Sequence, residues 1–375
     1  METHTTGTTA DRATVSAYSC QQALRDRVPR AQGSSDIWRP PRPATSRLES
    51  SRDERPYCLE RFFEEAKHEP KRETVLYLAY GSNLSSEKFR QDRGIKPLSQ
   101  INVQVPSLQL TFDLPGIPYT EPCFGNSARR VPKDHHSRYL EGWDKGLIGV
   151  VYEVTPEDYA HIIATEGGGA GYQDILVDCH PFLSSNPYDP VPQRPTLSPF
   201  KAHTLFAPAV PDDAPPKEGG HIQRPNADYA QASARYLKLI TDGAEEVELP
   251  YEYQDYLLSL QPYTITTAKQ RVGQFVFLAT WLPLVLAVFA LGKLFVDENG
   301  KLPKWMRQFT GAIFKAVWAS YDNFFVKLFG DGERTIENGD DGGDDGSLQS
   351  NGRRGRTMTR QRYRDSRQDV EKGIR

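Results

Sequence analysis

Cysteine is scarce in this chain, and charge of either sign has no clear majority. Among 375 residues there are four cysteines, Cys20, Cys58, Cys123 and Cys179, set far apart and without a CxxC pair. That spacing excludes a disulfide framework and a zinc signature, and it reads as free thiols in a reducing compartment. A net charge of −3 excludes a dedicated nucleic-acid binder, whose affinity would come from neutralising phosphates, so no nucleic-acid partner is expected. Histidines number eight, and the adjacent His135 and His136 have no carboxylate or cysteine at ligand spacing. No metal site is expected. The N-terminus lacks a basic stretch leading into an apolar run, so no secretory signal is expected. There is no internal repeat.

What is present is unevenly spread. Residues 1–55 are rich in Thr, Ser, Arg, Pro and Asp and poor in large apolar residues, a composition that reads as a disordered tail. Pattern begins with Thr74-Val-Leu-Tyr-Leu-Ala-Tyr80, a β-prone apolar run ending at a Gly81-Ser-Asn83 turn. Leu108 to Phe112 alternates like a strand, and the Gly- and Pro-rich stretch after it, to about Gly146, reads as loops. Leu147 to Val154 is the next strong strand. A helix follows, with Thr155 as N-cap, Pro156 at the first position, Glu157 and Asp158 at the positive end, and Tyr159, Ile162 and Ile163 on one face. It stops near Glu166, before Gly167-Gly-Gly-Ala-Gly171.

Ile175 to Cys179 and Ala202 to Phe206 read as further strands, with surface loops over 184–220. Asn226 is expected to cap a helix to Asp242 that places Tyr229, Ser233, Tyr236, Leu237 and Ile240 on one face and stops at Gly243. A short helix spans Tyr251 to Leu260. Strands and helices without a βαβ rhythm indicate an α+β domain over 74–265.

The uncharged run from Phe275 to Gly292 is long enough, with its extension, to cross a bilayer over 272–296, where a buried core helix is the alternative. Lys269, Arg271 and Lys293 flank it, and Pro283 is tolerated inside. Over 303–330, Trp305, Phe309, Ile313, Val317, Tyr321, Phe324 and Leu328 fall at helical spacing, with Arg307, Lys315 and Lys327 among them. That pattern reads as an interfacial amphipathic helix, again with a core helix as the rival. The acidic and Arg-rich stretch 331–375 reads as disordered; its basic end is either a lipid contact or an unbound tail. Membrane lipid is thus an expected partner, with a single-pass or monotopic attachment and the domain on the cytosolic side.

Three places carry chemistry. The Gly81-Ser-Asn83 turn exposes backbone N–H groups that form a nest for an anion, or is an ordinary strand end. Glu166 beside five small residues is either a carboxylate able to approach a ligand closely or a solvated helix-end residue. Phe124-Gly-Asn-Ser-Ala-Arg-Arg130 offers Arg129 or Arg130 to a substrate carboxylate, or is a surface turn.

Together these segments resemble the γ-glutamyl cyclotransferases, and among them the fungal, gliotoxin-cluster-like branch. Tyr80 to Leu84 matches the family's Tyr-Gly-Ser-Asn-Leu turn, Phe124 to Ser127 its Phe-Gly-Asn-Ser, and Gly149-Val-Val-Tyr152 its Gly-Val-Val-aromatic strand. Glu166-Gly167 matches the catalytic glutamate, Leu249-Pro-Tyr-Glu-Tyr253 to Pro262 a late helix, and Phe112 to Pro118 the fungal branch. The resemblance covers about 74–263. It departs at Glu141 to Gly146, which replaces a Gly-Gly-x-Ala-Thr segment, and at the Pro-rich loops. The membrane segment reads as an addition to the family's small soluble members. The resemblance implies a mixed β-barrel or sheet with flanking helices. It also implies cyclisation of a small-molecule γ-glutamyl amine or peptide to 5-oxoproline without cofactor. Glu166 would be the general acid and base, Gly81, Ser82, Asn83 and Leu84 would hold the substrate, and Tyr80 and Tyr229 would form the wall. The alternative is a membrane-tethered γ-glutamyl-binding or scaffold module without turnover.

Overall fold

The structure, a computed structural model, describes residues 39–58, 74–130, 142–166, 172–207, 224, 226, 229–295 and 303–336. The N-terminal expectation for 1–38, the paired histidines, the Gly167–Gly171 stretch, the loop 208–220 and the tail 337–375 lie outside the described residues.

Seven strands are described: β1 (Val75–Ala79), β2 (Ser99–Val105), β3 (Leu108–Ile117), β4 (Glu121–Arg129), β5 (Leu147–Val154), β6 (Gln173–Pro181) and β7 (Phe200–Phe206). Five of them close a barrel in the order β1-β5-β2-β6-β7. The α+β expectation therefore holds as a barrel with flanking helices. All residues of β1 are buried, and β5, paired to β1 and β2, is nearly so, which is why both read as continuous apolar runs. Every pairing in the barrel is antiparallel except β1 with β7, which sets Tyr77 beside His203.

The stretch expected to be loop after Phe112 is instead a two-stranded ribbon of β3 and β4. Its prolines and glycine do not break it. A lone two-stranded ribbon has free outer edges, where a missing N–H costs no ladder bond, and a register shift between Thr111 and Leu114 absorbs the irregularity. The ribbon's tip, Tyr119, has φ 63.

Residues 40–55, expected as disordered tail, form a strap on the barrel. Helix α1 (Thr45–Ser50) and a 3₁₀ turn, Ser51–Asp53, lead to Tyr57. Leu48 and Tyr57 of the strap pack on the barrel core, and polar pairs fix its course. Arg47 Nε donates to Thr74 Oγ1 at 2.9 Å and pairs with Glu54 at 2.8 Å, while Tyr57 N–H donates to Asp174 at 2.6 Å. Tyr57 also stacks on His203 at 4.1 Å. His203 sits fully buried, with Nδ1 2.9 Å from Asp174 and Nε2 3.0 Å from Glu54.

Helix α2 (Pro156–Thr165) takes its Thr155 cap from Asp158 N–H at 3.1 Å and buries Tyr159, Ile162 and Ile163. Helix α3 runs Ala234–Glu246 with Ser233, not Asn226, as its cap; Ser233 Oγ accepts from Tyr236 N–H at 3.0 Å. Gly243 does not end α3. A Cβ there would stand 2.4 Å from Leu84 C and Ser85 N, so glycine is what lets the helix rest on the turn after β1. Helix α4 is Tyr251–Ser259.

Helix α5 (Ala268–Phe295) is long and apolar enough to cross a bilayer by length and composition. It does not stand alone. Helix α6 (Lys304–Ser320) continues through a π-helical turn, Tyr321–Phe325, into α7 (Val326–Phe329). Contacts of Phe295 with Trp305, Trp281 with Ser320 and Gly273 with Phe329 show that the return segment runs antiparallel to α5. Phe277, Val285, Val288, Ile313, Val317, Trp318, Tyr321 and Phe325 form its own apolar core. The 303–330 stripe is thus half spent on a helical partner, which was upstream in sequence. The hairpin grips the ribbon tip: Tyr119 N–H donates to Gly332 O at 2.7 Å, its hydroxyl to Gly330 O at 2.8 Å, and Gln274 donates to its carbonyl at 2.8 Å. Residues 331–336, expected as tail, are part of that joint, with Glu333 buried against Arg224 at 2.6 Å.

Candidate active site

Helix α2, the β1 turn, β4 and α3 converge on a cleft that opens to solvent. Its walls include Tyr77, Tyr80, Tyr172 and Tyr236, its floor the Gly81–Asn83 turn, and Glu166 is its carboxylate. Each element has a local reason to be there. β1 ends at Ala79, and Ser82–Leu84 closes a single 3₁₀ turn, with Leu84 N–H on Gly81 O at 3.0 Å and Ser85 N–H on Ser82 O at 3.1 Å. The N–H groups of Gly81, Ser82 and Asn83 stand at the start of that turn, where the turn itself supplies no acceptor.

Glu166 caps the C-terminal end of α2 with φ −88 and ψ 87, its N–H still bonded to Ile162 O at 2.9 Å. Its Oε1 accepts from Asn83 Nδ2 at 2.9 Å and from Arg93 Nη2 at 2.7 Å. The second amide hydrogen of Asn83 goes to Tyr77 Oη at 2.8 Å, and Asn83 Oδ1 is buried without a hydrogen bond among the described residues. Gly125 N–H donates to Tyr236 Oη at 3.0 Å.

The four tyrosines are held above the ordinary phenol range, first by burial and then by the negative charge of Glu166. For Tyr80 and Tyr236, hydrogen bonds to Ser127 and Gly125 work in the opposite direction without cancelling the rise. They are neutral walls and donors, not bases. That leaves Glu166 as the carboxylate of the cleft. Among the described residues no lysine or arginine lines the cleft, so an anionic ligand group there would be met by backbone N–H and hydroxyl donors. Among the described residues no cluster of His, Cys, Asp or Glu could hold a metal ion.

The structure brings Tyr80, Gly81, Ser82, Asn83 and Glu166 together. It does not bring the other two. Leu84 is fully buried behind the turn, and its N–H is spent closing it. Tyr229 precedes α3 rather than lying on it, is bonded to Asp331 and stands under Arg334 at the hairpin joint. The tyrosine that α3 does deliver is Tyr236. Arg129 and Arg130 do not line the cleft either; Arg130 is fixed to backbone carbonyls of Pro106 and Asp144. Gly125 enters the wall from a strand, not from a surface turn. Arg93 carried no sequence signal at all.

Comparison with known proteins decides the family. The chain is 32% identical over 267 residues to the gliK γ-glutamyl cyclotransferase of Aspergillus fumigatus, covering 69% of this chain and 89% of that protein. The chain belongs to the γ-glutamyl cyclotransferase family. The aclK cyclotransferase of Aspergillus oryzae is 29% identical over 277 residues, 71% of this chain and 93% of its own. A solved γ-glutamyl cyclotransferase structure overlaps 52% of this chain and 92% of its own, at 18% identity and a TM-score of 0.36. Residues 267–328 match the AclK C-terminal domain model. That match covers most of the helical hairpin, read from sequence as an addition to the small soluble members.

Proposed function

We propose that this cyclotransferase closes the γ-glutamyl group of a small amine or peptide into 5-oxoproline, with Glu166 as the proton carrier. The observation that carries this reading is the Glu166 carboxylate, anchored at one oxygen, in a cleft that also takes in the Gly81–Asn83 turn. The α-carboxylate of the substrate rests on the N–H groups of Gly81, Ser82 and Asn83, and the tyrosine walls exclude water from the ring-closing atoms. The α-ammonium gives a proton to Glu166; the freed nitrogen attacks the γ-carbonyl carbon and a C–N bond forms. The tetrahedral intermediate then expels the former amide nitrogen as an amine: Glu166 returns the first proton to it, takes the second proton from the ring nitrogen and passes that on as well, so the amine departs as an ammonium. The nucleophile is tethered to its target, so orientation supplies most of the acceleration and no covalent enzyme intermediate is needed. Asn83 Oδ1, buried and unbonded, is the natural acceptor for the ammonium before it reacts.

We also read the hairpin as a membrane attachment. Its outer face presents Val272, Phe275, Leu282, Leu286, Trp305, Phe309 and Phe324, all exposed. Helix α5 is long enough for the hydrocarbon core, but α6 carries the exposed Lys315 near its middle, which opposes a second full crossing. A hairpin seated in one leaflet satisfies both.

The test of the reaction is turnover by the full chain on γ-glutamyl amino acids, glutathione and γ-glutamyl conjugates, read as 5-oxoproline by mass spectrometry. Glu166→Gln is expected to fold and to lose about 10²–10⁴ in kcat. Activity within about tenfold of wild type would remove Glu166 from its role. Tight binding of γ-glutamyl ligands without any product from the wild type would favour the scaffold reading instead.

A further inference from the structure

The carboxylate in the cleft is gripped from outside the cleft. Arg93 lines no part of it, yet its Nη2 donates to Glu166 Oε1 at 2.7 Å and its Nη1 donates to Thr165 Oγ1. The guanidinium therefore spans the last residue of α2 and the side chain of the residue that ends it. A planar fork with fixed nitrogen spacing couples the two in a way a single ammonium does not. Arg93 is itself well seated: its side chain is 12% exposed, and its N–H is bonded to Lys88 O at 3.2 Å. The flanking Phe89 and Ile95 are buried in the barrel core.

The geometry at the two oxygens is unequal. Oε1 takes two donors, Asn83 at 2.9 Å and Arg93 at 2.7 Å, while both of these bonds leave Oε2 untouched. Glu166 lies beyond the helix, with φ −88 and ψ 87, and has three side-chain torsions to populate. A glutamate so placed would sample several rotamers at a cost near zero, and proton transfer to and from nitrogens needs one of them. The segment between β1 and β2 supplies both Asn83 and Arg93.

We infer that Arg93 is a positioning residue for proton transfer. With Asn83 it pins Oε1 and leaves Oε2 as the single oxygen that meets the attacking and leaving nitrogens. This rests on the reading of Glu166 as proton carrier. It predicts a particular kinetic signature, because Arg93 touches no substrate: the chemical step should suffer and binding should not.

The experiment compares full-chain wild type, Arg93→Ala, Arg93→Lys and Glu166→Gln on one γ-glutamyl anilide, with thermal melts alongside. Arg93→Ala is expected to lower kcat about 30- to 100-fold with KM within about twofold, since misplacement by an ångström is worth about 10². Added guanidinium should restore part of that kcat, a response that a purely structural role would not give. Arg93→Lys should fall between wild type and Arg93→Ala, because it keeps one bond to Oε1 and loses the fork. If Arg93→Ala does not fold, Arg93→Lys decides: unchanged kcat overturns the proposal, and a selective loss of kcat supports it. An Arg93→Ala enzyme within about threefold of wild-type kcat, or one whose loss lies wholly in KM, also overturns it. Wild type active and Glu166→Gln fully active would instead remove the reading beneath it, whatever Arg93 does.

Discussion

Gly243 is where two opposed effects can be weighed against each other. It lies inside α3, and by helix propensity alone Gly243→Ala should stabilise the chain by about 1 kcal/mol. The structure argues the other way. The new Cβ would meet Leu84 C and Ser85 N at 2.4 Å, backbone atoms that cannot swing aside, and Leu84 Cβ at 2.7 Å. Reaching an ordinary contact of 3.4 Å requires α3 to back off the turn by about 1 Å. Overpacking of that kind costs about 1–3 kcal/mol, so the net change is a loss of up to about 2 kcal/mol, or a few degrees in Tm. The functional effect should be larger than the stability effect. Backing off separates Tyr236 on α3 from the Gly81–Asn83 turn, and a shift of this size is worth about 10- to 100-fold in kcat. The assay is 5-oxoproline release with a parallel melt on the same preparation. A raised Tm with undiminished kcat would refute the close-approach argument.

Two further outcomes follow from other parts of the chain. The strap should be pH-sensitive through His203 and Glu54. Burial alone would lower the His203 pKa, but its hydrogen bonds to Asp174 and Glu54 carry it above the ordinary 6.5. Burial alone would raise that of Glu54, but His203 and Arg47 bring it below the ordinary 4.5. The His203 contribution is therefore complete below 6.5 and fades as pH rises through the raised value, while the Glu54 contribution is complete above 4.5 and fades on acidification. Amide exchange across residues 45–57 should be slowest between those limits; protection that climbs steadily into alkaline pH would contradict the assignment. For the hairpin, Leu282→Lys with Leu286→Lys should release the full chain from floated liposomes at unchanged melting temperature, because both side chains face outward. Retention on the vesicles would argue against that face as the lipid contact.

How far the sequence reaches depends on whether the deciding partner is local. β1, β5 and the capped start of α2 were legible because burial on both faces leaves an unbroken apolar run, and because Thr155 and Pro156 act within one turn. Gly81 to Asn83 and Glu166 were legible through their resemblance to a family. The ribbon was hidden by Pro115, Gly116, Pro118 and Pro122, residues that usually end strands but are harmless on a ribbon with free edges. The start of α3 was misplaced because Asn226 and Ser233 are both good caps, and Gly243 resembled a stop while serving a close contact. Tyr229 came to the wall from the resemblance alone, whereas the α3 tyrosine in the cleft is Tyr236. Arg93 and the strap were invisible for a simpler reason. Arg93 meets Glu166 across 73 residues, and Tyr57 meets Asp174 across 117, distances at which no local pattern carries information.

The most direct test of the central claim is to run the full-chain reaction in ¹⁸O-labelled water with a γ-glutamyl anilide. Ring closure by the substrate's own amine predicts 5-oxoproline free of label, formed in step with released aniline, and neither product from Glu166→Gln. Glutamate carrying ¹⁸O in its γ-carboxylate, with little 5-oxoproline, would show water as the nucleophile and would contradict the account.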